Sequence, residues 1–517
     1  MVSEVFREAS PSEFFYRNRQ LAGFSNPARA LYTAIRELFE NSLDACELHR
    51  IKPQIMVSLR RVEDITKTVG IYKLYVQDNG SGIPKEYVLD ALGRVFFSSK
   101  YILRQSRGTF GLGGTMAILY AQATSGRPVK VTTSTGGKTV VSYTFKIDIK
   151  RNRPKIIRHK NYRNKDRWRG TIIEIYLEGD YSRASRYIIS YFKETAAITP
   201  YAEITFIDPD GNLYFFKRTY NKMPQPPKET LPHPHGVDIE TLKHLINTSD
   251  ESLTLQEFLS SKFHRVGKTT AARFLRYAKI RHNLRLGELT DADIEKLYKA
   301  LQNYDKFIAP SADVLSPIGE EIFRRGIEKE FNPEYIDVVT RPPSSYQGHP
   351  FIVEVALAYG GDIPGTPGDI TLFRYANKIP LLYDEGSDVS TKVLNSININ
   401  SYKRPGDKPT ALFIHIASTK IPFKTVGKEA IADVPEIERE IELAVRYLLR
   451  RFSKYTKRII RRLHAEKRLK IFEKHLSLMS EFSSKLAKKE KPDITPLLQK
   501  LKERYGIKES QAPPSYS

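Results

Sequence analysis

The chain has 517 residues, 40% of them hydrophobic, which is too long for one simple core and sufficient for two to four domains. It holds no run of eighteen apolar residues and no signal-peptide pattern, so a soluble, cytoplasmic protein with no membrane partner is expected. A single cysteine, Cys46, excludes a disulfide framework and a cysteine-rich zinc site, and a formal net charge of +24 points to a polyanionic partner, nucleic acid first.

Residues 1–25 read as an N-terminal arm with three aromatics, Phe14, Phe15 and Tyr16. The unit expected over 26–225 begins with a helix carrying residues 34–45, whose apolar face is Leu31, Ile35, Leu38 and Leu43. Glu37 and Asn41 stand four apart on one side of it. That spacing puts a carboxylate able to activate water beside an amide oxygen able to hold a cation, with Asp44 near the same side. Cys46 on the same helix is expected to be a small buried side chain. A strand over Ile71–Val76 then ends at Asp78-Asn79-Gly80-Ser81-Gly82. A carboxylate at that edge can accept a hydrogen bond from an exocyclic amine, and the glycines let a planar base approach the backbone.

The next signature, Ser106-Arg107-Gly108-Thr109-Phe110-Gly111-Leu112-Gly113-Gly114-Thr115, leads into an apolar helix with Met116, Ile118 and Leu119. A glycine loop at a helix N-terminus presents free N–H groups and the positive end of the dipole, a cradle for phosphate. A strand over Val141–Ile147 and another opened by Gly170-Thr171 complete the unit, which is expected to layer helices on one face of a mixed sheet.

Pro224, Pro226, Pro227, Pro232 and Pro234 break the pattern. An all-helical module is expected over 226–307. Its apolar spacings are Leu242, Leu245 and Ile246, then Leu255, Phe258 and Leu259, then Ala271, Phe274 and Leu275, and Thr290 with Asp293 reads as a helix start. Two motifs there are set aside. Gly267-Lys268-Thr269 resembles the end of a P-loop, but Lys262 stands where the first glycine belongs, so a bend between helices is expected. Pro232-His233-Pro234-His235 lacks a third and fourth metal ligand. Strands return over Ile336–Thr340, Phe351–Ala358 and Ala411–Ala417, in a unit placed at 308–465 that closes with a long helix over Glu436–Leu463. Residues 446–470 hold eleven Lys/Arg against one acid, Glu466, making Arg458, Arg461, Arg462 and Lys467 candidates for phosphate contact. Residues 466–517 read as a basic helical tail with a disordered end.

The four signatures at 34–45, 78–82, 106–115 and 169–175 resemble, in order and spacing, the N, G1, G2 and G3 boxes of the GHKL ATPase superfamily, whose Bergerat fold is an α/β sandwich. The resemblance implies ATP and Mg²⁺ as ligands. It makes Glu37 the catalytic base, Asn41 the Mg²⁺ ligand, and Asp78 the reader of the adenine amine, with Thr171 supporting through water. Gly108, Thr109, Phe110, Gly111, Leu112, Gly113, Gly114 and Thr115 would wrap the phosphates, with Gly82, Ser98, Ser99 and Lys100 also at the nucleotide. Residues 370–384 and 417–432 resemble the S5-like transducer of the B subunits of type IIB DNA topoisomerases, and the helical module resembles the helix-two-turn-helix insert of those subunits. The fold class implied is α+β and multidomain.

Such transducers send one lysine to the γ-phosphate. Lys428, in a Val-Gly-Lys turn, is the first choice, with Lys424 and Lys420 as alternatives. The resemblance further implies an A subunit in an A₂B₂ heterotetramer, double-stranded DNA as the captured polymer, and a self-dimer formed on ATP binding, the whole relaxing supercoils and decatenating DNA. Asp208-Pro209-Asp210 reads as a turn and Asp291-Ala292-Asp293 as a helix start, so the cutting chemistry is expected on the A subunit. Two other readings are a MutL-like repair clamp, which does not account for the helical insert, and a non-enzymatic DNA-binding scaffold, which would lack the base or the glycine loop.

Overall fold

A computed structural model describes residues 9–98, 102–108, 111–402, 408–425 and 427–504. Ser99, Lys100, Thr109 and Phe110, expected at the nucleotide, lie outside the described residues, as does the side chain of Arg462.

The N-terminal arm carries a short helix, α1 (Pro11–Arg17), whose cap Ser10 accepts from the Glu13 N–H at 3.1 Å. Phe15 is buried edge-on to Phe96, while Phe14 and Tyr16 are exposed. Helix α2 (Pro27–Glu47) starts at an Asn26 cap with proline in its first turn. There follow β1 (Gln54–Asp64), β2 (Gly70–Gln77), α3 (Val88–Gly93), α4 (Gly113–Ser125), β3 (Val129–Thr135), β4 (Thr139–Asp148), β5 (Arg153–Arg163), β6 (Arg169–Gly179), α5 (Tyr181–Ile198), β7 (Glu203–Ile207) and β8 (Leu213–Phe216). The strands form one sheet ordered β5-β4-β3-β6-β2-β1-β7-β8, antiparallel except where β1 meets β7. Alternation along β2 and β6 sends Tyr72, Leu74, Val76, Ile173, Ile175 and Leu177 into a core shared with Leu31, Ile35 and Leu38 of α2. Helices α2, α4 and α5 thereby cover one face, as the sequence suggests.

Helices α6 (Ile239–Asn247), α7 (Leu255–Lys262), α8 (Lys268–Ala278) and α9 (Asp291–Asn303) enclose a core of their own around Leu242, Phe258, Phe274 and Leu301. Capping boxes start α7 (Thr254 with Glu257) and α9 (Thr290 with Asp293). Gly267 is simply the N-cap of α8. His233 and His235 turn Nε2 toward the carbonyls of Ile308 and Tyr304, both at 3.1 Å, and so close the module.

After α10 (Glu320–Phe331) come β9 (Tyr335–Thr340), β10 (Ser344–Tyr346), β11 (His349–Tyr359), β12 (Ile370–Ala376), β13 (Ile379–Pro380), α11 (Val389–Ser396), β14 (Thr410–Ser418) and α12 (Pro435–Ala487), with α13 (Thr495–Arg504) last. The second sheet is ordered β10-β11-β14-β12-β13, and β9 also pairs with β11. Strands β11 and β14 are buried along their whole length, which requires cover on both faces. Helices α11 and α12 supply one cover, through Val389 and Val393 of the first and Ile437, Ile441, Ala444, Leu448 and Phe452 of the second. Helix α10 supplies the other, together with Ala197, Ile198 and Tyr201 from the first unit. The approach is close: a Cβ on Gly326 of α10 would stand 1.9 Å from the Ala197 carbonyl oxygen.

Helix α12 corrects the helix expected over 436–463. It runs on to Ala487, because no glycine or proline interrupts the chain between Pro435 and Pro492, so the expected tail begins as the same helix. At 53 residues it is about 80 Å long. Lys457, Arg458, Arg461 and Lys467 are exposed on its distal part. Among the described residues no helix is long and apolar enough to cross a membrane.

Candidate functional site

Helix α2 lays its apolar side on the sheet and turns Glu37, Asn41 and Asp44 toward a cavity of about 540 Å³. Asp78, Gly82, Ser98, Gly108, Gly111, Leu112, Gly113, Gly114, Thr115, Thr171 and Lys428 line the same cavity. Its volume is that of an ordinary small-molecule site, and its walls come from segments almost 400 residues apart in the chain.

Glu37 is nearly buried, and its Oε1 accepts from Arg36 Nη2 at 2.9 Å. Arg36 also approaches Glu40 at 3.6 Å. Burial works against the guanidinium charge of Arg36, but Glu37 and Glu40 overcome it and hold its pKa above the usual range. Glu40, beneath the cavity, is pushed up to about 7 by burial and by the charge of Glu37. The loop glycine Gly113 rests directly on the Glu37 carboxylate: a Cβ there would fall 1.6 Å from Oε2. Gly114 lies over Asn41 less tightly: a Cβ there would stand 2.9 Å from Nδ2.

Asp78 sits where β2 ends. Its carboxylate accepts from Gly80 N–H at 2.8 Å, Ser42 Oγ at 3.0 Å and Thr171 N–H at 3.2 Å. Burial nevertheless raises its pKa, with those three bonds opposing. Gly170 makes room here, because a side chain would collide with the Asp78 carbonyl, and Thr171 Oγ1 is within 3.0 Å of Thr133 Oγ1.

The glycine loop is held at both ends. Before it, Arg107 is buried between Asp44 and Glu47. After it, Gly111 takes φ +61 against Ser98, and α4 starts at Gly113. Thr115 Oγ1 is buried with no hydrogen-bond partner among the described residues, at a helix start whose N–H groups and dipole face the cavity.

Lys428 reaches in from the second unit. It adopts φ +57 and donates from Nζ to the Arg107 carbonyl at 3.1 Å. Its neighbours dock too: Arg36 donates to the Gly427 carbonyl at 3.3 Å, and Arg29 pairs with Glu429. Lys424 instead binds the Ser387 carbonyl and Asp433, and Lys420 is exposed; neither lines the cavity.

The residues suit a nucleotide. The Thr115 hydroxyl, the glycine cradle over Glu37 and Asn41, and the α4 N-terminus answer phosphate, and Asp78 in the same cavity answers a base. Asn41 and Glu37 offer hard oxygen donors for Mg²⁺, an ion that keeps several waters and phosphate oxygens and needs few protein ligands. Among the described residues no cluster of three or more His, Cys, Asp or Glu could hold a metal without such help. The sequence signatures gave no role to Arg36, whose only local sign is its place beside Glu37, nor to Arg107, whose partners lie 60 and 63 residues earlier.

Known families agree with this layout. The profile of histidine kinase-, DNA gyrase B- and HSP90-like ATPases matches residues 26–150, and the profile of the topoisomerase VI B subunit transducer matches residues 310–468. The B subunit of type 2 DNA topoisomerase 6 from Sulfurisphaera tokodaii is 45% identical over 485 residues, 93% of this chain and 90% of that protein. The B subunit of the same enzyme from Metallosphaera sedula is 44% identical over 498 residues, 96% of this chain and 93% of that one.

Proposed function

The chain belongs to the family of type 2 DNA topoisomerase 6 B subunits, ATP-dependent topoisomerase subunits with a nucleotide-binding GHKL ATPase domain, and we propose that Glu37 is the base with which it hydrolyses ATP. The observation that carries this reading is the convergence of Glu37, Asn41, Asp78, the glycine loop and Lys428 on one cavity.

Asp78 accepts a hydrogen bond from the adenine amine, with Thr171 beside it. The N–H groups of the loop and of the α4 start bind phosphate oxygens, and Thr115 Oγ1 gains the partner it lacks. Glu37 accepts a proton-sharing bond from a water and aims it at the γ-phosphorus, with Arg36 fixing the carboxylate. Asn41 would hold Mg²⁺, which when bound would supply charge neutralisation at the phosphates. Lys428 leaves the Arg107 carbonyl for the γ-phosphate, a role suited to a point charge on a flexible stem. That exchange ties the second unit to the state of the nucleotide.

Two copies of the chain dimerise when ATP binds, closing on a DNA duplex, and two A subunits join them in an A₂B₂ assembly that makes the break. The exposed bases of α12, such as Arg458, Arg461 and Lys467, contact phosphates, so DNA binding falls steeply with salt. Glu37→Ala should abolish turnover and leave ATP binding and ATP-driven dimerisation intact. Hydrolysis undiminished in that variant would refute the assignment of the base.

A further inference from the structure

The segment that leads into the phosphate loop is gripped from the second unit at a place the chemistry above does not use. The tip of the β12–β13 hairpin is the two-residue turn Asn377-Lys378, with φ +48 and +64. The second position of such a turn suits glycine and disfavours a lysine. Lys378 stands there with its ammonium buried, 2.9 Å from Ser316 Oγ and 3.4 Å from Glu47 Oε2. Glu47 in turn holds Arg107 by two bonds of 2.8 and 3.1 Å, and Asp44 accepts from Arg107 at 2.9 Å. Two acids and two bases thus close one buried, neutral cluster. Beside it, Asn377 Nδ2 donates to the carbonyls of Ser106 at 3.1 Å and Ser418 at 3.0 Å, and its Oδ1 accepts from Ser418 N–H at 2.9 Å. Asn377 therefore ties the start of the glycine loop to the end of β14.

Joining the two units does not require this arrangement, because α10 already gives them a common apolar core. Buried ion clusters contribute little net stability over apolar packing of the same volume, and what they add is position. The position fixed here is the backbone of residues 106 and 107, immediately before Gly108. We propose that Asn377 and Lys378 are positioning residues for the phosphate loop: the hairpin tip anchors the loop's leading end, so the second unit sets how often the loop stands in its phosphate-binding shape, independently of Lys428. This inference rests on the ATPase reading above. When the anchor is lost, the loop is competent for only part of the time, and apparent nucleotide affinity falls by that fraction. The chemical step is unaffected once the loop closes, because neither side chain lines the cavity.

The test compares full-length Lys378→Met and Asn377→Gly with the unaltered chain; the second variant keeps a left-handed turn while deleting the amide. ATP hydrolysis gives KM and kcat, a fluorescent ATP analogue gives Kd without hydrolysis, and circular dichroism reports the fold. KM and Kd should rise about tenfold in each variant while kcat stays within about threefold. Lys428→Met, run alongside, should show the opposite split, with kcat reduced and KM little changed. Unchanged KM and Kd in both hairpin variants, or a fall in kcat at constant KM, overturns the inference. Loss of the native fold in both variants also overturns it, since the contact would then be structural alone. An unaltered chain that neither binds the analogue nor hydrolyses ATP would instead overturn the ATPase reading, and this inference with it.

Discussion

Gly113 offers the sharpest perturbation of the site. An alanine there would place its Cβ 1.6 Å from Glu37 Oε2 and 2.3 Å from Cδ. Real Cβ contacts essentially never fall below 3.0 Å, so one group must give way by about 1.4 Å. The Glu37 carboxylate cannot yield freely, being nearly buried and bonded to Arg36. If it moves, the attacking water loses its guide; if the loop moves, the phosphates move with it. A misplacement of about 1 Å at a reacting centre costs about 100-fold, so kcat for ATP should fall by about that factor in Gly113→Ala. The fold should survive, because alanine is favoured over glycine in a helix by about 1 kcal/mol and Gly113 opens α4. Gly137→Ala is the control: nothing lies within 4 Å of a Cβ there, and activity should stay within about twofold. Steady-state ATP hydrolysis with a parallel thermal melt decides the matter. A Gly113→Ala chain that melts normally and turns over within threefold of the unaltered one would refute the claim that the loop is seated on the Glu37 carboxylate during catalysis.

Other outcomes follow from the same geometry. Asp78→Asn removes a charged acceptor from the base end of the cavity, so ATP affinity measured by titration calorimetry should drop about 10- to 100-fold, and an unchanged affinity would move the adenine elsewhere. Lys428→Met should lower kcat while leaving ADP binding intact, because ADP lacks the γ-phosphate that this lysine is proposed to meet. Glu47 gives a pH dependence. Burial disfavours its carboxylate, but Arg107 and Lys378 hold it down at about 2 against an ordinary 4.5. A folded pKa below the unfolded one stabilises above pH 4.5 and is lost as the pH falls toward 2, a contribution of about 3 kcal/mol at pH 7. Calorimetric unfolding should therefore separate Glu47→Gln from the unaltered chain at pH 7 and bring the two together only as the pH falls below about 2; a separation undiminished in acid would contradict the ion-pair account.

What could be read in the sequence was whatever short-range spacing encodes. Glu37 and Asn41 are four apart on a helix, and Asp78 directly follows a strand with clear alternation. The glycine loop opens an apolar helix. Each can be recognised because the residues that define it are neighbours in the chain. The supporting shell could not be recognised in this way. Arg107 finds Glu47 across 60 residues, Lys378 finds Glu47 across 331, and Lys428 finds Arg107 across 321. No local pattern encodes such pairs, because they exist only once two separate sheets have packed through α10. For the same reason the sequence left Lys428, Lys424 and Lys420 as alternatives, and only the path of the chain after β14 distinguishes the one that lines the cavity from the two that do not. Helix α12 outruns the expected 436–463 for a simpler reason. The apolar spacing that marks its buried half fades after Phe452, whereas helix formation needs only the absence of breakers, which continues to Ala487.

The most direct test of the central claim is relaxation of supercoiled plasmid by this chain together with a topoisomerase 6 A subunit, Mg²⁺ and ATP, with Glu37→Ala in parallel. Relaxation that needs both subunits and ATP, and that the Glu37→Ala chain cannot sustain through repeated cycles, is the expected result. Undiminished multi-cycle relaxation with Glu37→Ala, or relaxation by both subunits without ATP, would contradict it.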